Sequence, residues 1–123
     1  MPTVDCVIAS RNRAWILPKW LESLESQTHP IRRIIVLDNS SPSETEQTDW
    51  LVDMEKARRL SYVPFPSWED EPWERGSYTK ENFARITNKA FDVFLNGVSD
   101  YLFSFDTDQT CGPDAVAGPL DLD

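Results

Sequence analysis

The chain has 123 residues, of which 40% are hydrophobic and 27% are charged, values ordinary for one soluble globular domain. Its net charge of −9 argues against a nucleic-acid binder, which would normally carry a basic stripe. No apolar run reaches the roughly 18 residues of a membrane span, and the first residues lack the pattern of a signal peptide.

Strand and helix patterns alternate along the chain. Short apolar runs rich in β-branched residues indicate strands, and apolar residues at helical spacing indicate amphipathic helices. In chain order these patterns predict a strand at residues 4–9, a helix at 15–27, a strand at 33–37, a helix opening at 43, a strand at 60–64, a long exposed loop at 65–77, a helix from 79 and a strand at 101–105.

Several local signals refine these elements. Pro18 is compatible with the first helix only in its first turn, where backbone donors are unpaired. Ser43 and Glu46 have the spacing of a capping box. Gly97 is placed to end the third helix in a left-handed cap. Residues 112–123 are predicted to be an irregular tail.

The two cysteines, Cys6 and Cys111, have neither the number nor the spacing of a disulfide framework or a metal site. Cys6 lies in the first predicted strand, where a buried thiol behaves as a small hydrophobe. A reduced, cytoplasmic setting is the simplest expectation.

The order of the elements predicts one α/β domain over residues 1–123. Strands alternating with helices give a mainly parallel sheet with helices on both faces, a three-layer Rossmann-like arrangement. Such sheets bind ligands beyond the carboxyl ends of their strands. Polar residues follow three of the strands, at residues 10–13, 38–41 and 106–108, and we expect these segments to share one edge of the sheet.

Asp106 and Asp108 form an Asp-x-Asp pair directly after the last strand. If the segment stays extended, the two carboxylates point to the same side, where a divalent cation can bind. With 12 aspartates in 123 residues, about one such pair arises by chance. The tail contains a second pair, Asp121 and Asp123, to which we assign no role. The position of the first pair at the shared edge makes it the stronger candidate.

Four sequence segments, in the same order, resemble family 2 glycosyltransferases. They cover nearly the whole chain, and one departs from the family pattern because two residues separate Arg85 from Asn88. The segments are residues 7–13 (VIASRNR), 33–41 (RIIVLDNSS), 84–90 (ARITNKA) and 101–108 (YLFSFDTD).

The resemblance implies a GT-A fold that binds a nucleotide-diphosphate sugar and transfers the sugar, generally with inversion, to an acceptor that the sequence does not identify. It implies Mn²⁺ or Mg²⁺ as cofactor, with Asp106 and Asp108 as metal ligands. The residues it assigns to the donor nucleotide are Ala9, Ser10, Arg11, Arg13, Asp38, Arg85, Asn88, Asp106 and Thr107.

The chemistry of these residue types agrees with that assignment but leaves alternatives open. A hard cation held by carboxylates can neutralise the charge that grows on a diphosphate leaving group, and Arg11 or Arg13 could add positive charge. Asp38 could equally be an ordinary turn residue that satisfies its own backbone. The two arginines and Arg85 could be plain solvated surface residues.

The chain lacks a recognisable counterpart of the family's general base, which would activate the acceptor hydroxyl. Two hypotheses follow. One is a glycosyltransferase, or its donor half, completed by a homo-oligomer, by a second chain that supplies the acceptor-binding part, or by the loop at residues 68–74. The other is a non-catalytic nucleotide-sugar-binding module. A third, more distant reading is another nucleotide-binding α/β domain.

Overall fold

The structure of the protein is a computed structural model that describes residues 2–65 and 80–120. Apart from Phe65, the predicted loop at residues 65–77 lies outside these residues. The elements are β1 (Val4–Ser10), α1 (Leu17–Glu25), β2 (Arg33–Asp38), α2 (Glu46–Lys56), β3 (Ser61–Pro64), α3 (Lys80–Leu95), β4 (Tyr101–Phe103) and α4 (Ala117–Leu120). All the predicted strands and helices are present, and Pro18 lies in the first turn of α1, as predicted.

The predicted parallel sheet is confirmed. Its four strands have the order β3-β2-β1-β4, and every neighbouring pair is parallel. The chain builds outward from β1 to β3 and then returns to place β4 on the other side of β1. Strand order therefore reverses between β1 and β4, the position at which α/β sheets of this Rossmann-like kind bind ligands.

Helices cover both faces of the sheet, as predicted. On one face, α1 and α2 bury Trp20 and Leu51 against side chains such as Cys6 of β1. On the other face, Ile86 of α3 packs against Val7 of β1 and its neighbours. Successive residues of β1 supply the two cores because side chains alternate along a strand. The burial of Cys6 raises the pKa of its thiol to about 12, so this cysteine is an inert core residue.

The last strand is shorter than predicted. Residues 101–105 are all apolar or small, but β4 ends at Phe103, which pairs with Cys6. Two residues later, the carbonyl of Phe105 accepts a hydrogen bond from the indole of Trp20 at 3.2 Å. The chain thus leaves the sheet ladder and follows α1, which a local apolar pattern cannot reveal.

The predicted capping box is wrong. Helix α2 begins at Glu46 with Thr45 as its N-cap, and no side-chain hydrogen bond caps it. Ser43 therefore lies two residues before the N-cap, and Glu46, its expected capping-box partner, is the first residue of the helix. The Ser-x-x-Glu spacing is satisfied, but it is offset from the helix start.

The predicted left-handed cap at Gly97 is also wrong, because the backbone there does not have a positive φ. A Cβ at this position would lie 2.2 Å from an Nη atom of Arg33, so a larger residue would have to displace the end of that side chain. A left-handed residue instead follows α2, where Arg58 has φ 60°. Its amide and that of Arg59 bond back to the carbonyls of Glu55 and Met54, the pattern of a Schellman motif.

The tail is more ordered than predicted as far as residue 120, since Ala117–Leu120 form one helical turn, α4. The Gln27 side chain at the end of α1 fixes the preceding segment. Its amide nitrogen donates to the carbonyl of Gly112 at 2.8 Å, and its oxygen accepts from the amide of Val116 at 3.0 Å. These long-range contacts, rather than local propensity, hold the segment.

A buried carboxylate closes the amino end of the sheet. Asp5 of β1 is fully buried and forms ion pairs with Arg32 and Arg33 at 2.9 and 2.8 Å. The hydroxyl of Ser99 donates to its second oxygen at 2.7 Å. Burial alone would raise the pKa of Asp5, but the hydrogen bonds from Ser99, Arg33 and Arg32 outweigh it and hold the pKa below 3.8. In the parts of the chain that the structure describes, no helix is long and apolar enough to cross a membrane.

Candidate functional site

A cavity of about 400 Å³ opens at the carboxyl edge of the sheet, beside the switch point between β1 and β4. Ligand sites in proteins commonly have volumes of this order. The wall formed by the sheet and α3 is apolar, and the rim at the strand ends is polar. The polar lining comprises Ser10, Arg11, Arg13, Asn39, Thr87, Ser104, Asp106, Thr107 and Asp108.

The turn after β1 is held against the turn after β2. The guanidinium of Arg11 donates to the carbonyl of Asn39 at 2.8 Å and to the hydroxyl of Ser41 at 3.0 Å. Asn12 has φ 52°, a left-handed conformation that asparagine adopts more readily than most residues. Its side chain bonds both the hydroxyl and the backbone amide of Ser41. The predicted meeting of the segments at residues 10–13 and 38–41 is confirmed.

The third polar segment joins the same edge through a pair of hydroxyls. The Ser10 and Thr107 hydroxyl oxygens lie 2.9 Å apart, and both residues are buried. This contact fixes the middle residue of the Asp-x-Asp segment to the end of β1. The expectation that all three segments share one edge is therefore confirmed.

Asp106 and Asp108 differ from the expected extended pair. Thr107 and Asp108 lie in a turn, so the two carboxylates are not successive residues on one side of a strand. Both are exposed, and both line the cavity on either side of the buried Thr107. Within residues 2–65 and 80–120, no group of three or more His, Cys, Asp or Glu residues could hold a metal ion. Two carboxylates suit a cation that takes its other ligands from phosphate and water.

Asp38 lies beneath the cavity rather than in its lining. It is only 6% exposed. One oxygen accepts from the backbone amide of Ser40 at 3.1 Å and from the side-chain amide of Gln47 at 2.7 Å, and the other accepts from the hydroxyl of Thr48. These three donors use most of the carboxylate's acceptor positions, as the turn-residue alternative expects, and contact with a nucleoside stays a prediction.

Arg85 and Asn88 are exposed residues of α3 that the cavity lining does not include. The helix instead turns Ile86 and Thr87 toward the cavity. The guanidinium carbon of Arg85 lies 5.8 Å from the centre of the Phe65 ring, a cation–π distance. Of the predicted donor residues, Ala9, Ser10, Arg11, Arg13, Asp106 and Thr107 do line the cavity, as does the metal-ligand candidate Asp108.

The sequence analysis overlooked Gln47, a buried polar side chain that makes four hydrogen bonds at this edge. It lies in the first turn of α2 and is 1% exposed. It contacts the side chain and carbonyl of Ser10, the backbone amide of Arg13 and the carboxylate of Asp38. The sequence did contain a signal. Leu51 and Met54 follow Gln47 at i+4 and i+7, so this polar residue occupies the first position of the apolar stripe of α2. A polar residue in such a stripe needs buried partners.

No known family model matches the sequence. The curated proteins contain no match to it either. The resemblance to family 2 glycosyltransferases therefore rests on the four segments quoted above.

Proposed function

We propose that this protein is glycosyltransferase-like and binds a nucleotide-diphosphate sugar in the cavity at the carboxyl edge of its sheet. Mn²⁺ or Mg²⁺ would bind Asp106 and Asp108 and neutralise the diphosphate. The observation that carries the proposal is the convergence on one cavity of the β1 turn and the Asp-x-Asp segment, at the reversal of strand order.

The charges of the rim fit a metal–diphosphate ligand. Arg11 and Arg13 of the β1 turn line the cavity together with Asp106 and Asp108. A diphosphate alone would be repelled by the two carboxylates, whereas a divalent cation between them reverses the sign of that interaction. The positive charge of the two arginines would add to that of the cation.

The donor set also fits the proposed metal. Both acids are exposed in the cavity, and in the described part of the chain their carboxylates have no hydrogen-bonded partner. Hard cations such as Mg²⁺ are bound by one or two carboxylates together with substrate phosphates. When bound, the ion would act as a Lewis acid toward the departing diphosphate.

One observation favours the second candidate, a binding module without turnover. Asp106 and Asp108 are the acidic residues in the lining that the structure describes, and both are assigned to the metal. Inverting transfer also needs a base within hydrogen-bond distance of the acceptor hydroxyl. If this chain transfers sugar, the base must come from residues other than those of the described lining.

Calorimetric titration with uridine, guanosine and thymidine diphosphates, with and without Mn²⁺, tests the proposal. We expect one of them to bind in the presence of the metal, and Asp108→Ala to weaken metal-dependent binding by about tenfold or more. Asp53→Ala, which removes an exposed acid of α2, is the matched control and should leave affinity unchanged.

Failure of all three diphosphates to bind with metal present would contradict the proposal. Binding whose metal dependence survives Asp108→Ala would refute the assigned ligand. Where binding occurs, release of free sugar from the matching nucleotide sugar, or its transfer to an added acceptor, would separate an enzyme from a binding module.

A further inference from the structure

We infer that Gln47 is the positioning residue of this edge: it fixes the Arg13 turn relative to the Thr107 segment and thereby sets affinity for a diphosphate. The inference rests on the proposed function for its ligand. It names a residue outside the cavity lining, and it assigns a role to a buried amide that the proposed binding chemistry does not use.

Gln47 uses its full hydrogen-bonding capacity. Its oxygen accepts from the Ser10 hydroxyl at 2.9 Å and from the Arg13 backbone amide at 2.8 Å. Its nitrogen donates to the Ser10 carbonyl at 2.9 Å and to the Asp38 carboxylate at 2.7 Å. A glutamine offers two donors and an oxygen with two lone pairs, so no capacity remains for a ligand. Its role at the cavity must act through its partners.

Its partners determine the orientation of the amide group. In the reverse orientation, the oxygen would face the Asp38 carboxylate and the nitrogen would face the Arg13 N–H. Both contacts would then be repulsive, acceptor against acceptor and donor against donor. The position of Asp38 therefore determines which atom of Gln47 meets the Arg13 turn.

The same constraint propagates to the Asp-x-Asp segment. The single hydroxyl hydrogen of Ser10 is donated to Gln47, so the 2.9 Å contact between Ser10 and Thr107 requires Thr107 to be the donor. The hydroxyl of Thr107 consequently offers only acceptor lone pairs to any further partner. A directed chain of hydrogen bonds thus runs from Thr107 through Ser10 to Gln47.

The chain of hydrogen bonds ends at two residues that line the cavity, Arg13 and Thr107. Arg13 lines the cavity, and Thr107 lines it between the two exposed acids Asp106 and Asp108. Gln47 contacts the first directly and the second through Ser10. If the hydrogen bonds of Gln47 are lost, Arg13 can move independently of Asp106 and Asp108. A metal–diphosphate that contacts both segments then binds less tightly. Partners of this indirect kind typically change affinity by about 10–100-fold.

Three variants separate positioning from simple stability. Gln47→Met keeps the side-chain volume and removes all four hydrogen bonds. Gln47→Glu keeps an oxygen opposite the Arg13 amide but replaces the nitrogen with an oxygen that faces the Asp38 carboxylate and the Ser10 carbonyl, acceptor against acceptor. Leu51→Ala, one turn later on α2, empties a fully buried site that belongs to the hydrophobic core. It should lower stability without changing the cavity.

The test combines diphosphate titration in the presence of Mn²⁺ with amide hydrogen exchange of the ligand-free protein. We expect Gln47→Met to raise the dissociation constant at least about tenfold, while Leu51→Ala leaves it unchanged. We also expect the Arg13 amide to exchange faster in Gln47→Met and in Gln47→Glu than in the wild type, relative to amides of β1, and to remain protected in Leu51→Ala. An unchanged dissociation constant in folded Gln47→Met would overturn the inference.

The two proposals can fail separately. If the wild type binds no diphosphate, the proposed function is wrong, and amide exchange alone decides the positioning role. Faster exchange at Arg13 in Gln47→Met but not in Leu51→Ala would still establish that Gln47 holds the turn. Equal protection of Arg13 in the wild type and in Gln47→Met would refute that role.

Discussion

The two ends of this sheet carry polar clusters of opposite character. At the amino end, Asp5 is fully buried, and two arginines and a serine satisfy its carboxylate. At the carboxyl end, Asp106 and Asp108 are exposed in a cavity and have no hydrogen-bonded partner in the described part of the chain. One end has its carboxylate paired within the protein, and the other has two carboxylates exposed in a cavity.

We propose that this difference distinguishes a structural cluster from a functional one within the same domain. A buried carboxylate persists only when it is paired and hydrogen-bonded, so the Asp5 cluster ties together the starts of β1, β2 and β4. Exposed acids contribute little to stability, and keeping two of them near each other in a cavity needs another explanation. At the carboxyl edge, the buried Gln47 side chain holds the residues that surround the cavity through its hydrogen bonds to Ser10, Arg13 and Asp38.

Among the changes that test this comparison, Asp5→Ala at the amino end should have the largest effect. We expect a loss of about 3 kcal/mol in the free energy of unfolding, because two arginines lose their shared partner. Both arginine side chains are 34% exposed and can partly rehydrate, which limits the loss. Urea unfolding measures it, with Asp53→Ala as a control that should change stability by less than about 0.5 kcal/mol. A loss equal to that of the control would show that the cluster is not structural.

Acid should weaken the same end of the sheet. The pKa of Asp5 in the folded protein lies below 3.8, so the folded state binds this proton less readily than the unfolded state. The stability from Asp5 is therefore present above 3.8 and is lost as the pH falls below that value through the folded-state pKa. Urea unfolding followed from neutral pH to about pH 2 should show a steeper loss for the wild type than for Asp5→Asn. Parallel curves would contradict this assignment.

Gly97→Ala should disturb the amino end from the side of α3. The new Cβ would meet the Arg33 guanidinium at 2.2 Å and push it away from Asp5. We expect a loss of about 1 kcal/mol, measured by thermal unfolding. Gly118→Ala is a matched control, since a Cβ there meets nothing within 4 Å. Equal melting temperatures for the two variants would contradict the close approach of Arg33.

Asp106→Asn and Asp108→Asn should have the smallest effect on stability. Both side chains are exposed, so we expect each change to alter the free energy of unfolding by less than about 0.5 kcal/mol. Removing negative charge from the cavity should instead lower the affinity for Mn²⁺. A stability loss comparable to that of Asp5→Ala would mean that these acids are structural, and the contrast between the two ends would disappear.

Much of this architecture could be predicted from local patterns. Apolar runs located the strands, and their alternation with helices gave the parallel sheet and the shared edge of the three polar segments. What could not be predicted depends on contacts between residues distant in sequence. The indole of Trp20 donates a hydrogen bond to the carbonyl of Phe105, two residues after β4 ends. The side chain of Arg33 lies against Gly97, where the sequence predicted a left-handed turn.

The candidate site shows the same limit. The motif order identified the residues of the β1 turn and the Asp-x-Asp segment, but it could not distinguish a carboxylate in the lining from one beneath it. Asp38 resembles a ligand-binding residue in sequence, yet its carboxylate accepts hydrogen bonds from Gln47, Thr48 and Ser40. Gln47 itself has no motif, because its importance lies in partners up to 37 positions away in the sequence.

Paramagnetic broadening by Mn²⁺ of the amide resonances tests the central claim most directly, because it maps where the ion binds without reference to any substrate. We predict that substoichiometric Mn²⁺ broadens the resonances around Asp106 and Asp108 and in the turn after Ser10, and leaves those around Asp5 and Ser99 sharp. The pattern should disappear when both acids are changed to asparagine. Broadening centred on another acidic surface, or unchanged by that double substitution, would contradict a metal site at the carboxyl edge of the sheet.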